Sequence, residues 1–155
     1  MAVFLSQHGK SASKQVDPKR GLTEQGAAEV KHVASLLQQG HVQVAGFQHS
    51  GKDRARQTAE LFAAVLNPAQ SVMDCEGINP LDDVTAFAKR LDATANQMYV
   101  GHLPFMQRLV SYVTIGDPER EVIEFQNGGV ICLDYDFDNR YWLIKWHLVP
   151  NLRII

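Results

Sequence analysis

Apolar runs and helix-period stripes take turns along this chain from its first residues to about Gly116, and that alternation restricts the fold more than any other feature. Ala2 to Ser6 reads as a strand, and Gly9 to Gly21 as a polar surface loop holding lysines, Arg20 and Asp17-Pro18. Thr23 suits an N-cap with Glu24 favourably behind it. Val30, Val33, Ala34 and Leu37 then form the stripe of an amphipathic helix that Gly40 stops. Val42 to Phe47 reads as a second strand, and Ser50-Gly51-Lys52-Asp53 as a turn in which Asp53 or Ser50 caps the next helix. That helix carries Ala55, Leu61, Phe62, Val65 and Leu66 and ends before Pro68. Val72-Met73 is a short strand, and Val84, Phe87, Ala88 and Leu91 mark a third helix. A strand at Gln97 to Val100 leads into a helix through Phe105, Met106, Leu109, Val110 and Val113. Past Asp117-Pro118, Val122–Phe125, Val130–Tyr135 and Tyr141–Trp146 read as strands, the last two joined by a hairpin at Phe137-Asp138-Asn139. Alternating strands and helices predict βαβ units and an α/β fold with a mostly parallel sheet, to which the C-terminal hairpin adds antiparallel strands. Residues 1–155 read as a single domain without repeats or linkers.

Two of the strand ends carry the same chemistry. Val3-Phe4-Leu5 runs into Gln7-His8-Gly9, and Met98-Tyr99-Val100 runs into Gly101-His102. Ligands of open parallel sheets bind beyond the carboxyl ends of the strands, so the fold puts His8 and His102 in one crevice. Of the six histidines, His32, His41 and His147 read as surface or core residues, and His49 stands near a third strand end.

Composition narrows the chemistry. A net charge of -2 supplies no basic excess for a nucleic-acid surface. The N-terminal apolar run is too short for a signal sequence and no stretch reaches membrane-spanning length, which makes a cytoplasmic domain the expectation. Cys75 and Cys132 lack metal-type spacing and read as reduced thiols. No HxH, HxxxH or HExxH pattern provides the close pair that zinc sites commonly use, so neither a metal nor a cofactor is expected. Two histidines without a metal suit phosphoryl chemistry, in which one neutral imidazole attacks phosphorus while another binds its oxygens. Such a site needs cations, and Arg54, in the first turn of a helix after a strand, is the best placed. Arg56 points to another helix face; Arg20 and Lys10 lie on the loop above His8. Asp82 and Asp83, at a loop-to-helix junction, read either as caps or as a proton donor to a leaving group.

Taken together, these residues resemble the histidine phosphatase superfamily, most closely its small SixA-type phosphohistidine phosphatase branch. The resemblance rests on Gln7-His8-Gly9, Arg20-Gly21-Leu22-Thr23-Glu24-Gln25-Gly26, Arg54-Ala55-Arg56-Gln57-Thr58 and Gly101-His102-Leu103-Pro104. Gly128-Gly129-Val130 and the ending Pro150-Asn151-Leu152 extend it over essentially the whole chain. It implies a three-layer α/β/α sandwich of the phosphoglycerate mutase-like kind. It also implies a metal-independent phosphatase in which His8 is phosphorylated and then hydrolysed. By the same resemblance Arg54 and His102 hold the phosphoryl oxygens, with Gln7, Gly9 and Arg20 lining the substrate site. The substrate implied is a protein phosphohistidine or a small phosphate-bearing molecule, and a dedicated proton donor is dispensable because an imidazole leaving group can carry its own proton.

The chain departs from the family pattern at Gln7, where the family has arginine. A glutamine amide donates hydrogen bonds without the charge or the two-pronged fork of a guanidinium. Loss of one such donor costs on the order of 10² to 10³ in rate. Two readings follow: a working but slower phosphatase, or a catalytically weakened module that binds phosphorylated ligands or partners. The sequence leaves oligomeric state open.

Overall fold

A computed structural model describes residues 1–152. The chain forms β1 (Val3–Gln7), α1 (Glu24–Gln39), β2 (Gly46–His49), α2 (Asp53–Leu66), β3 (Met73–Asp74) and α3 (Val84–Ala88). It continues through β4 (Gln97–Gly101), α4 (Phe105–Ile115), β5 (Val130–Asp136) and β6 (Tyr141–Leu148). The strands form one six-stranded sheet in the order β3-β2-β4-β1-β5-β6. β3, β2, β4 and β1 run parallel, and β5 and β6 add the antiparallel edge.

Alternation along the strands divides the core into two layers. On one face Phe4, Phe47, Met98, Val100 and Val130 pack against Val30, Val33, Ala34 and Leu37 of α1 and Ala55, Ala59 and Phe62 of α2. On the other, Val3, Leu5, Tyr99, Ile131 and Leu133 pack against Val84 and Phe87 of α3 and Phe105, Met106, Leu109 and Val110 of α4. Each buried Leu or Phe contributes about 1.5–3 kcal/mol, so the strand alternation and the helix stripes supply much of the driving force for this arrangement. The result is the three-layer α/β/α sandwich. Cys132 belongs to the first layer and Cys75 to the second; both are free and buried, so the sheet lies between them. Among the described residues no helix is long and apolar enough to cross a membrane.

Local chemistry sets the element ends. Thr23 Oγ1 accepts the Gly26 N–H at 2.9 Å to cap α1, and Gly116, at φ 76°, closes α4. Three sequence expectations are corrected. The second strand begins at Gly46, where its ladder with Gln97 starts, and not at Val42. Ahead of it the backbone is satisfied by Asn96, whose side chain donates to the Gln43 carbonyl and whose own carbonyl accepts the Ala45 N–H at 2.9 Å. Val122–Phe125 forms no strand. Both edges of β1 and of β5 are already filled, so the segment has no ladder to join there, and Phe125 and Ile123 simply cover the second core layer. Neither Ser50 nor Asp53 caps α2: the cap position is Lys52, with no side-chain hydrogen bond, because Ser50 is used elsewhere.

Candidate active site

β1 and β4 are adjacent and parallel, with Gln7 opposite Gly101, so the residues that follow them leave the sheet side by side. The His8 N–H donates to the Gly101 carbonyl at 3.0 Å, and the two imidazole centroids lie 5.0 Å apart. They border a cleft of about 850 Å³ at the carboxyl end of the parallel strands, lined also by Gln7, Lys10, Arg20 and Arg54.

His8 Nδ1 lies 2.7 Å from the Gly9 carbonyl oxygen. A carbonyl can only accept, so Nδ1 carries the hydrogen and Nε2 keeps its lone pair. Burial, with the charges of Arg54 and Arg20 adding to it, lowers the His8 pKa to about 4, so the ring is neutral at pH 7. His102 is engaged through its other nitrogen, with Nε2 2.6 Å from Ser50 Oγ. Its Nδ1 is buried without a hydrogen-bond partner, as is Arg54 Nε. Burial first, then the neighbouring His8 and Arg54, pushes the His102 pKa down to about 3.

The Arg-Ala-x-Gln-Thr run has a physical explanation. Ala55 and Thr58 face the core side of α2. Thr58 Oγ1 accepts the Gly9 N–H at 3.0 Å and donates to the Arg54 carbonyl at 2.7 Å, tying the loop that follows His8 to the helix that carries Arg54. Gln57 Oε1 accepts the Leu22 N–H at 2.8 Å and fixes the loop that presents Arg20. Gly26 is required by close approach, since a Cβ there would lie 2.2 Å from the Lys10 carbonyl oxygen.

The expected residues divide into two groups. Gln7, His8, Arg20, Arg54 and His102 line the cleft, as does Lys10, which pairs with Glu29 at 3.7 Å. Gly9 lies behind His8, buried, with its N–H taken by Thr58 and so unavailable to a substrate oxygen. Asp82 and Asp83 sit outside the cleft, in a separate hollow with Phe87 and Arg90. Asp82 Oδ2 accepts the Asn79 N–H at 2.8 Å, and Asp83 caps α3 through the Thr85 N–H at 2.9 Å. Hydrogen bonds from Thr85 hold the Asp83 pKa low, the reverse of what a proton donor needs. His49 is buried at the end of β2 and does not line the cleft, its Nδ1 accepting the Gly51 N–H at 3.1 Å and its Nε2 3.4 Å from Asp74. Arg56 pairs with Asp53 and Glu60. Among the described residues no group of three or more His, Cys, Asp or Glu side chains gathers in a metal-binding arrangement.

Two residues that touch the histidines lie outside the sequence expectations for the site. Ser50, with Asp53 one of the two residues expected to cap α2, instead contacts His102. Asn127 Nδ2 donates to the His8 carbonyl at 3.0 Å and lines the cleft. The signal for Asn127 was the turn that follows it: Gly128, at φ 77°, donates its N–H to the Gln7 carbonyl at 2.9 Å.

Comparison with known proteins agrees with this geometry. The histidine phosphatase superfamily (branch 1) profile matches residues 3–79. An uncharacterised protein of Picosynechococcus sp. is 30% identical over 142 residues, covering 86% of this chain and 84% of that one. The protein histidine phosphatase SixA, solved with tungstate, superposes with a TM-score of 0.82 at 26% identity, covering 97% of each chain. A SixA-type structure from Agrobacterium tumefaciens gives 0.76 at 23% identity over 96% of this chain and 97% of that one. A phosphoserine phosphatase from Entamoeba histolytica gives 0.68 at 12% identity, over 95% and 96%, and shares the fold. The chain belongs to the histidine phosphatase superfamily. Within it, the chain falls in the SixA-like branch.

Proposed function

We propose that this protein is a metal-independent phosphatase that hydrolyses phosphohistidine on proteins through a phosphorylated His8. The observation that carries this reading is the Nδ1 contact to the Gly9 carbonyl, which leaves Nε2 as a neutral nucleophile in the cleft. Nε2 attacks phosphorus, the substrate P–N bond breaks, and the departing imidazole retains the electron pair and leaves carrying a proton. Water then attacks the His8 phosphoryl group, releasing phosphate and restoring the lone pair on Nε2. Arg54 offers its guanidinium to the equatorial oxygens and His102 lies beside them, so charge developing on the transferring group meets fixed donors. The placement of Asp82 and Asp83 outside the cleft favours a leaving group that needs no side-chain acid. The likeness to SixA, crystallised with a tetrahedral oxyanion, supports the same substrate class. A cytoplasmic setting suits the free cysteines.

Gln7 favours a second reading, in which the cleft binds a phosphorylated partner without turnover. One experiment separates the two. Incubation with a small phosphodonor should give acid-labile, base-stable protein phosphate that is absent from His8→Ala. Absence of that label in the unaltered protein overturns the enzyme reading. Tight phosphopeptide binding with no turnover, unaffected by chelators, then establishes the binding module.

A further inference from the structure

We propose that Arg20 is the second phosphoryl-binding guanidinium of this cleft, supplying from the outer loop the charge that Gln7 does not supply from β1. The inference rests on the phosphoryl-binding part of the reading above and not on turnover.

A phosphoryl group in flight spreads its negative charge over three oxygens, and one guanidinium fork reaches two of them. Both cleft histidines are neutral at pH 7, so full positive charge has to come from elsewhere. The cations lining the cleft are Lys10, Arg20 and Arg54. Lys10 is partly neutralised by its ion pair with Glu29, whose other carboxylate oxygen accepts from Asn151. Lys52 lines an adjoining hollow and not the cleft itself. Arg56 is held by Asp53 and Glu60. Arg20 is left as the partner for Arg54.

The loop around Arg20 is built to present it. Arg20 has φ 53°, a left-handed conformation that costs a non-glycine residue about 1 kcal/mol or more and persists only where its surroundings impose it. Asp17 imposes it here: its carbonyl accepts the Arg20 N–H and its Oδ2 accepts the Gly21 N–H, each at 2.9 Å. The loop is closed by the Ala12 N–H donating to the Gly21 carbonyl at 2.9 Å, and Gln57 anchors it to α2. Arg20 and Arg54 are therefore mounted on one frame, and Nε of Arg20, 3.4 Å from the Ala12 carbonyl, sets the direction of the guanidinium. The Arg20 charge also lowers the pKa of His8, Arg54 and His102, which places all three within its field.

The test moves the guanidinium from one wall to the other. Calorimetry with inorganic phosphate and steady-state hydrolysis of a phosphorylated histidine-containing protein would be run on the unaltered protein, Arg20→Gln, Arg20→Lys, Gln7→Arg and the Arg20→Gln/Gln7→Arg double variant. Arg20→Gln should weaken phosphate binding at least tenfold and reduce kcat/KM on the order of 10²-fold, with Arg20→Lys intermediate. Gln7→Arg placed in the Arg20→Gln background should recover at least tenfold of each loss. Retention of phosphate affinity within threefold in Arg20→Gln overturns the proposal, as does a double variant no better than Arg20→Gln. If Arg20→Gln fails to fold, phosphate binding by Arg20→Lys decides alone. An unaltered protein that binds phosphate without turnover sinks the phosphatase reading and leaves the Arg20 result to stand by its own affinity series.

Discussion

His8 and His102 emerge from adjacent parallel strands at the same level of the sheet, yet the fold treats them in opposite ways. His8 is tied through Nδ1 to the backbone of its own neighbour, and its Nε2 keeps its lone pair. His102 is tied through Nε2 to Ser50, a residue of the next strand's exit turn, and its Nδ1 is buried without a partner. Burial holds both rings neutral, so charge does not distinguish them. The engaged nitrogen does. A backbone carbonyl that accepts from one nitrogen prepares the other as a nucleophile, whereas a hydroxyl partner makes a ring that holds and orients.

The sharpest way to break this comparison is to remove each ring. His8→Ala should abolish both turnover and acid-labile phosphoenzyme. His102→Ala should slow turnover on the order of 10² to 10³-fold while a phosphoenzyme still forms, because it removes one donor and not the nucleophile. Phosphoenzyme in His8→Ala, or its complete absence in a folded His102→Ala, would reverse the assignment. The contact that distinguishes His102 is tested next. Ser50→Ala removes the Oγ partner and should lower kcat about tenfold, a hydrogen-bond-sized loss. Ser50→Thr keeps the hydroxyl and should recover most of it. Equal rates for the Ala and Thr variants would show that the 2.6 Å contact does not orient the ring.

The site was less legible in the sequence than the fold, for a reason these residues illustrate. The Thr23 cap and the stripe from Val30 to Leu37 are contacts between residues three or four apart, which periodicity reports directly. The same local rule offers Ser50 or Asp53 as a cap for the helix just after them, but the partner of Ser50 is 52 positions away. Asn127 meets His8 across 119 positions. Only the sheet order brings such pairs together, and it depends on which strand edges are free. Val122–Phe125 meets the same limit: its pattern is apolar enough for a strand, but in the fold Ile123 and Phe125 cover the second core layer and the segment joins no ladder. That His8, Arg54 and His102 share one cleft is legible in the sequence because each stands next to an element end, where position in the chain and position in the fold coincide.

Titration gives a smaller effect. With its pKa lowered to about 4, His8 stays in the reactive neutral form well below the ordinary histidine value of about 6.5. Phosphoenzyme formation should therefore change less than twofold between pH 7 and 5.5, where an unperturbed histidine would lose about tenfold. Stability follows the other side of the same linkage. The unfolded chain takes up protons near pH 6.5 and folded His8 and His102 do not, so their contribution is intact above that pH and is lost as pH falls toward 4. Denaturant midpoints at pH 7 and pH 5 should differ in that direction. A midpoint that rises on acidification would contradict the lowered pKa values of the two rings.

The smallest expected effect on catalysis is at the carboxylates. Asp83 accepts from the Thr85 N–H at 2.9 Å and from the Thr85 hydroxyl at 2.7 Å, the geometry of a helix cap, and lies in a hollow apart from the histidines. Asp83→Ala should lower the denaturant midpoint, the usual consequence of losing a cap, and change hydrolysis of phosphohistidine less than twofold. Asp82→Asn, which can still accept the Asn79 N–H, should change neither. The informative substrate is an alkyl phosphate, whose alkoxide leaving group has to be protonated. An aryl phosphate releases a phenolate that is stable without a proton, so its hydrolysis should be indifferent to both substitutions. A loss above tenfold on alkyl phosphate alone in Asp82→Asn or Asp83→Ala would mean that this loop swings into the cleft during turnover. The comparison between the two histidines would then need a third member.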